Sequence, residues 1–193
     1  VACALAVLSK GLIGIVLPAL VIGPWLLAQG RWRQMLKLLH PLGVIAFVVV
    51  CAPWFVAMQM RYPAFFDYFF MEQHFRRFSQ SKFNNVQPFW FFIFVVPALT
   101  LPWAAWIPAA AKRLWPQRDS TLALYAWWVI VVVGFFSLPS SKLIGYVLPA
   151  VAPWCALLGL AVAQSTGRAW VWVMGGAAAL CLAVVVGLTW QAP

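Results

Sequence analysis

The chain has 193 residues, 65% of them hydrophobic and only 8% charged, with a mean hydropathy of +0.93; soluble domains are roughly 45–50% apolar and about 25% charged, so a water-soluble core is excluded. Thirteen Lys and Arg against three acids give a net charge of +10, but the basic residues fill short gaps between apolar runs, where they meet lipid phosphates and set topology. No basic stripe or recognition helix is present, so nucleic acid is not expected as a partner and membrane lipids are.

A hydrocarbon core of about 30 Å takes around 20 apolar residues of helix, because in lipid every backbone N–H and C=O must be paired within its own segment. The first eight residues, VACALAVL, read as the tail of a helix and lack the initiator Met and basic leading region of a signal peptide. Six spans follow: Leu12 to Gln29, Pro41 to Met60, Phe89 to Ala111, Thr121 to Leu138, Leu143 to Ala163 and Ala169 to Trp190. Pro18, Pro24, Pro53, Pro97, Pro102, Pro149 and Pro153 fall inside these runs; membrane helices tolerate proline where neighbours satisfy the freed carbonyls, so several spans are expected to be kinked. Cys3, Cys51, Cys155 and Cys181 lie in apolar segments with no C-x-x-C spacing, which argues against disulfides or a thiolate metal site and for small buried hydrophobes. The expectation is an all-α polytopic transmembrane helix bundle of about six spans plus the tail of another, one transmembrane domain over 1–193. Its abrupt ends, VACALAVL and WQAP, read as those of a piece of a longer protein.

The connections differ in character. Gly30 to His40, Lys112 to Ser120 and Gln164 to Arg168 are short and basic or polar, and read as cytoplasmic turns; His40 reads as an ordinary interfacial residue. Arg61 to Pro88 is long and aromatic, and carries Asp67, Glu72, His74, Arg76, Arg77 and Lys82. Counting spans places Ser9-Lys10-Gly11, the 61–88 loop and Pro139 to Tyr146 on one face. Basic residues are nearly balanced between the faces, but Arg31, Arg33, Lys37, Lys112, Arg113, Arg118 and Arg168 sit in the shorter loops, where the positive-inside rule acts best. The long loop is therefore placed outside, facing the periplasm.

In Tyr68 to Phe78, YFFMEQHFRRF, Glu72 and His74 stand two apart, with Arg76 and Arg77 just beyond. A carboxylate and an imidazole can bind a divalent cation, though two ligands do not complete a zinc site, and adjacent guanidiniums suit a phosphate through forked, charge-assisted hydrogen bonds. The plainer alternative pairs Glu72 with Arg76, four residues on, along an interfacial helix. In SLPSSKLIGYVLP, Ser137 to Pro149, Lys142 sits between two apolar runs with Ser140 and Ser141 before it and Tyr146 one turn later. It can serve as a point charge for a phosphate, or it can snorkel and fix helix depth. Lys10 before Gly11 is of the same kind. Asn84, Asn85 and Trp90 in FNNVQPFWFF can contact a sugar or acceptor, or simply mark the interface.

The S-K-G after an apolar run, the E-x-H-x-R-R-F loop, the K-F-N-N-x-Q-P-F-W segment and the S-K-L-x-x-Y-x-L-P motif, in that order, resemble the middle of a bacterial GT-C superfamily glycosyltransferase. The likeness is to the lipid A 4-amino-4-deoxy-L-arabinose transferase family and the related protein O-mannosyltransferases, and it runs from about Leu5 to Trp154. It implies a GT-C type membrane domain, multi-pass in the bacterial inner (plasma) membrane. Its periplasmic active face would take a sugar from a polyprenyl-phosphate donor to a lipid A, other envelope glycolipid or protein acceptor. By the same resemblance Glu72 and His74 lie near a metal-associated region, Lys10, Arg76, Arg77 and Lys142 contact the donor phosphate, and Tyr146 lines the donor cavity. The family's catalytic aspartate is implied to lie upstream of Val1, so the catalytic base is unknown here; Asp67 is not promoted to that role, and these residues alone are expected to be inactive. A transporter or lipid flippase subunit is the alternative, but its coupling site would put ionisable residues near the midplane, and these spans hold almost none. A purely structural subunit would not need the charged residues on a common face.

Overall fold

Residues 1–70, 85–108, 121–163 and 168–190 are described by the computed structural model. The apolar runs form α1 (Ala2–Lys10), α2 (Ile13–Ala28), α3 (Trp32–Leu38), α4 (Pro41–Arg61), α5 (Phe91–Leu99), α6 (Thr121–Ser137), α7 (Leu148–Ala163) and α8 (Arg168–Trp190). Short 3-10 turns lie at Trp103–Trp106 and Ile144–Val147. The architecture is an all-α polytopic membrane bundle. The helical stretches 32–61 and 144–163 are long and apolar enough to cross a bilayer. Along α4 only Cys51 is buried, while Val44, Ile45, Val48, Val49, Trp54 and Val56 face outward. In water so continuous an apolar face would drive association; in lipid it is matched by its surroundings.

The chain divides into two compact units, Val1–Phe89 with Ile130–Tyr146, and Trp90–Val129 with Val147–Pro193. In the first, α1 and α2 turn on Gly11, whose φ of 75° is open to glycine at little cost. Gly14 then lets the two helices close: a Cβ there would stand 2.6 Å from the Ala6 carbonyl carbon and 2.7 Å from the Val7 nitrogen. On the other side of α1, Ala4 and Val7 pack with Cys51 of α4, flanked by Leu8, Phe47, Val50 and Phe55, and the Cys51 thiol donates to the Ala4 carbonyl at 3.5 Å. Gly30 (φ 68°) ends α2: its N–H donates to Leu27 O at 2.9 Å and that of Arg31 to Leu26 O at 2.8 Å, the paired bonds that satisfy a helix's last carbonyls.

Two local features add detail to the sequence reading here. The basic, amphipathic segment read as a cytoplasmic turn holds the seven-residue α3, on which the Arg33 guanidinium lies 5.5 Å from the Trp32 ring centre; an interfacial helix of this kind keeps its aromatic ring and charge at the headgroup level. His40 does specific work, since its Nδ1 accepts from the Leu42 N–H at 3.3 Å and caps α4, with Pro41 in the first turn where no N–H is needed. At the far end of α4 the Gln59 amide closes the turn, donating to Pro63 O at 2.6 Å and accepting from Phe66 N–H at 3.0 Å. Trp54, Phe55, Phe65, Phe66, Phe69 and Phe70 pack edge-on or stacked around that turn.

In the second unit the run read as a single span from Phe89 to Ala111 is broken. α5 stops at Leu99, because Pro102 brings no N–H to the Ala98 carbonyl, which is met instead by Leu101 N–H in a tighter turn. Thr100 lies at the break with its hydroxyl 3.1 Å from the Val96 and Pro97 carbonyls, and it accepts from the Trp154 indole N–H of α7 at 2.9 Å. Pro18, Pro24, Pro53, Pro97 and Pro153, by contrast, stand inside continuous helices. All four cysteines are free, and only Cys51 is buried; Cys3, Cys155 and Cys181 are exposed, because each sits on a helix side that no other described helix covers.

Candidate functional site

The turn after α6 is built from residues the sequence makes easy to place. Phe136 is buried, Ser137 ends the helix, and Pro139 follows, so the chain bends over 138–140. Ser141 then pairs antiparallel with Val86, framed by Gln87 N–H to Ser140 O and Lys142 N–H to Asn85 O, both 3.0 Å. Asn85 enters this pairing at φ 72°, a left-handed conformation that asparagine adopts more readily than most residues. Its carbonyl, not its side chain, makes the contact.

Lys142 is 3% exposed. Its Nζ donates to Gln87 O at 2.9 Å and to Pro139 O at 2.5 Å. The ammonium is thus turned inward onto backbone carbonyls, neither snorkelling to water nor bare, and burial pushes its pKa below the usual lysine value. One turn on, the Tyr146 ring stacks on Phe136 with centroids 5.3 Å apart and planes 29° from parallel. The Ser137 hydroxyl is buried beneath the same turn with no hydrogen-bond partner.

Of the other residues picked from the sequence, Lys10 is exposed at the C-terminal end of α1, where a cation is favoured by the helix dipole. Trp90 belongs to the second unit, 47% exposed at the start of α5 and edge-on to Phe94 at 5.5 Å. Asp67 is exposed in the wide helical turn at 67–70. Glu72, His74, Arg76, Arg77, Lys82 and Asn84 lie outside the described residues. Among the described residues no group of three His, Cys, Asp or Glu side chains comes together. The structure therefore joins Asn85, Lys142 and Tyr146 in one neighbourhood, and no described hydrogen bond ties Lys10 to them. Sequence reasoning missed the Gln87 and Pro139 carbonyls, which no residue type announces. It also passed over Gln59, although a lone amide in an apolar run just before Y-P was a legible sign of a capped exit.

Comparison with known proteins bears on the chain as a whole. Residues 1–69 match the family model of dolichyl-phosphate-mannose-protein mannosyltransferases. The chain is 35% identical over 199 residues to the undecaprenyl phosphate-alpha-4-amino-4-deoxy-L-arabinose arabinosyl transferase of Enterobacter sp. strain 638, covering 98% of this chain and 36% of that protein. Against the enzyme of the same name from Pseudomonas aeruginosa PAO1 it is 34% identical over 164 residues, 84% of this chain and 30% of the relative. The crystal structure of ArnT from Cupriavidus metallidurans bound to undecaprenyl phosphate superposes with a TM-score of 0.82 at 30% identity, over 94% of this chain and 33% of that one. The apo form of the same protein gives 0.76, over 90% and 31%. The chain spans about a third of the length of the curated relatives it matches. In the order of its motifs, in its helices and over most of its length, the chain resembles the bacterial GT-C glycosyltransferases related to the lipid A 4-amino-4-deoxy-L-arabinose transferases and the protein O-mannosyltransferases.

Proposed function

We propose that this chain is part of an integral-membrane glycosyltransferase of the bacterial inner membrane that transfers a sugar from a polyprenyl-phosphate donor to lipid A or another envelope glycolipid at the periplasmic face. The observation that carries the reading is the likeness, over 94% of the chain, to a structure bound to undecaprenyl phosphate, with relatives named as arabinosyl transferases using that lipid carrier. The transporter or flippase alternative gains nothing from either comparison.

In this reading the polyprenyl tail stays in the bilayer while its phosphate meets cations at the surface. Arg76 and Arg77 offer planar forks and Lys10 a point charge, while the Lys142 ammonium is engaged by the Gln87 and Pro139 carbonyls. The Tyr146 hydroxyl is held by its ring stacking on Phe136. An acceptor hydroxyl attacks the anomeric carbon and gives its proton to a carboxylate base. The bond from that carbon to the phosphate oxygen breaks, and the polyprenyl phosphate leaves with its negative charge held by the cations. Asn84 and Asn85, and separately Trp90, would contact sugar or acceptor. Glu72 and His74 would supply two ligands for a divalent ion, which would need others to complete its shell.

Replacing Arg76 and Arg77 by Ala in the intact protein tests the reading. Donor binding is expected to fall at least a hundredfold with membrane insertion unchanged; unaltered sugar transfer would sink it. Chelation followed by metal add-back tests the Glu72 and His74 assignment separately.

A further inference from the structure

We propose that Lys142 is a positioning residue whose ammonium clips residues 85–87 to the turn at 139–142, and that this clip sets Tyr146 in place for the donor phosphate. The second half rests on the donor-binding reading above; the clip itself does not.

Two backbone hydrogen bonds hold the Val86–Ser141 pairing, and so short a pairing is marginal without support. The Lys142 ammonium spans it, with one N–H on the Gln87 carbonyl of one segment and another on the Pro139 carbonyl of the other. It links positions 55 residues apart in the chain. A buried charge persists only where hydrogen bonds replace its water, and here backbone carbonyls do so. With two of three donors spent and 3% exposure, this lysine is far better placed to fix the backbone than to sweep a surface for a ligand. What it fixes is the turn that leads into Ile144–Val147, the single 3-10 turn carrying Tyr146, whose N–H bonds back to Leu143 O at 3.0 Å.

The test uses the intact protein in detergent, with hydrogen exchange read on peptides covering Gln87 and Lys142, and undecaprenyl phosphate binding read by native mass spectrometry. Lys142→Met should speed exchange at residues 87 and 142 at least tenfold and weaken binding about tenfold. Val86 and Ser141 form the antiparallel pair without mutual hydrogen bonds, where Cα atoms lie about 4.5 Å apart, within disulfide range. In the Lys142→Met protein carrying Val86→Cys and Ser141→Cys, oxidation should therefore restore binding to within about threefold, and reduction should remove it again. Exchange unchanged by Lys142→Met overturns the clip. Binding lost and not restored by the cross-link overturns positioning and makes the ammonium a direct phosphate ligand. If the unsubstituted protein binds no polyprenyl phosphate, the functional reading falls and takes the second half of the proposal with it, while hydrogen exchange still decides the clip.

Discussion

The Lys10 and Lys142 turns look alike in sequence, each a serine-lysine step between two apolar runs, and the structure makes them opposites. At Lys10 the helices are joined by glycine: Gly11 supplies the turn, Gly14 the close approach, and the lysine is left exposed at the helix end. At Lys142 the chain bends through Pro139 with no glycine between 138 and 142, and the lysine Nζ donates back to the Pro139 carbonyl across the bend. The contrast shows that a lysine between spans has no fixed meaning. Its role depends on whether glycine or side-chain chemistry closes the turn beside it.

The sharpest break of the comparison comes at the glycine-joined turn. Gly14→Ala should lower stability by about 1–3 kcal/mol or more, since the added Cβ meets backbone at 2.6 Å. Gly23→Ala in the same helix, with nothing within 4 Å, should be neutral or slightly stabilising in the same thermal melt. Next, Lys142→Met should cost about 1–3 kcal/mol, because two carbonyls lose their donor, whereas Lys10→Met should stay within about 0.5 kcal/mol; equal costs would erase the distinction. A pH effect should follow the same line. With the Lys142 pKa lowered by burial, the unfolded chain holds that proton more tightly, so the clip's charge opposes folding below the folded-state pKa. Stability should rise as pH climbs from there toward 10.5, and the rise should be missing in Lys142→Met. The smallest effect is expected at Ser137→Ala, which removes a buried hydroxyl with no partner and should be neutral or stabilising by up to about 1 kcal/mol.

The spans were legible because a bilayer imposes length and apolarity locally; the predicted run Pro41 to Met60 became Pro41–Arg61, and Thr121 to Leu138 became Thr121–Ser137. The break at Thr100 was not, since it depends on a missing N–H at Pro102 and an indole from Trp154, which lies 54 residues away. Lys142 shows the same limit more sharply. Its residue type and position between spans allowed a ligand or a snorkelling anchor, but its partners are main-chain oxygens, one of them reached only after the chain has folded back. Asn85 was picked for its amide, and contributes its backbone angle and its carbonyl.

The helix lengths carry a consequence for the surrounding lipid. At about 1.5 Å per residue, the 21 residues of α4 reach roughly 32 Å, while the 16 of α2 reach only roughly 24 Å. A hydrocarbon layer of about 30 Å fits the first and overshoots the second, so the acyl chains must compress beside the shorter helix or its polar flanks must stretch toward the surface. Thickness mismatch is therefore built into these helices, and phospholipids with shorter acyl chains should ease it.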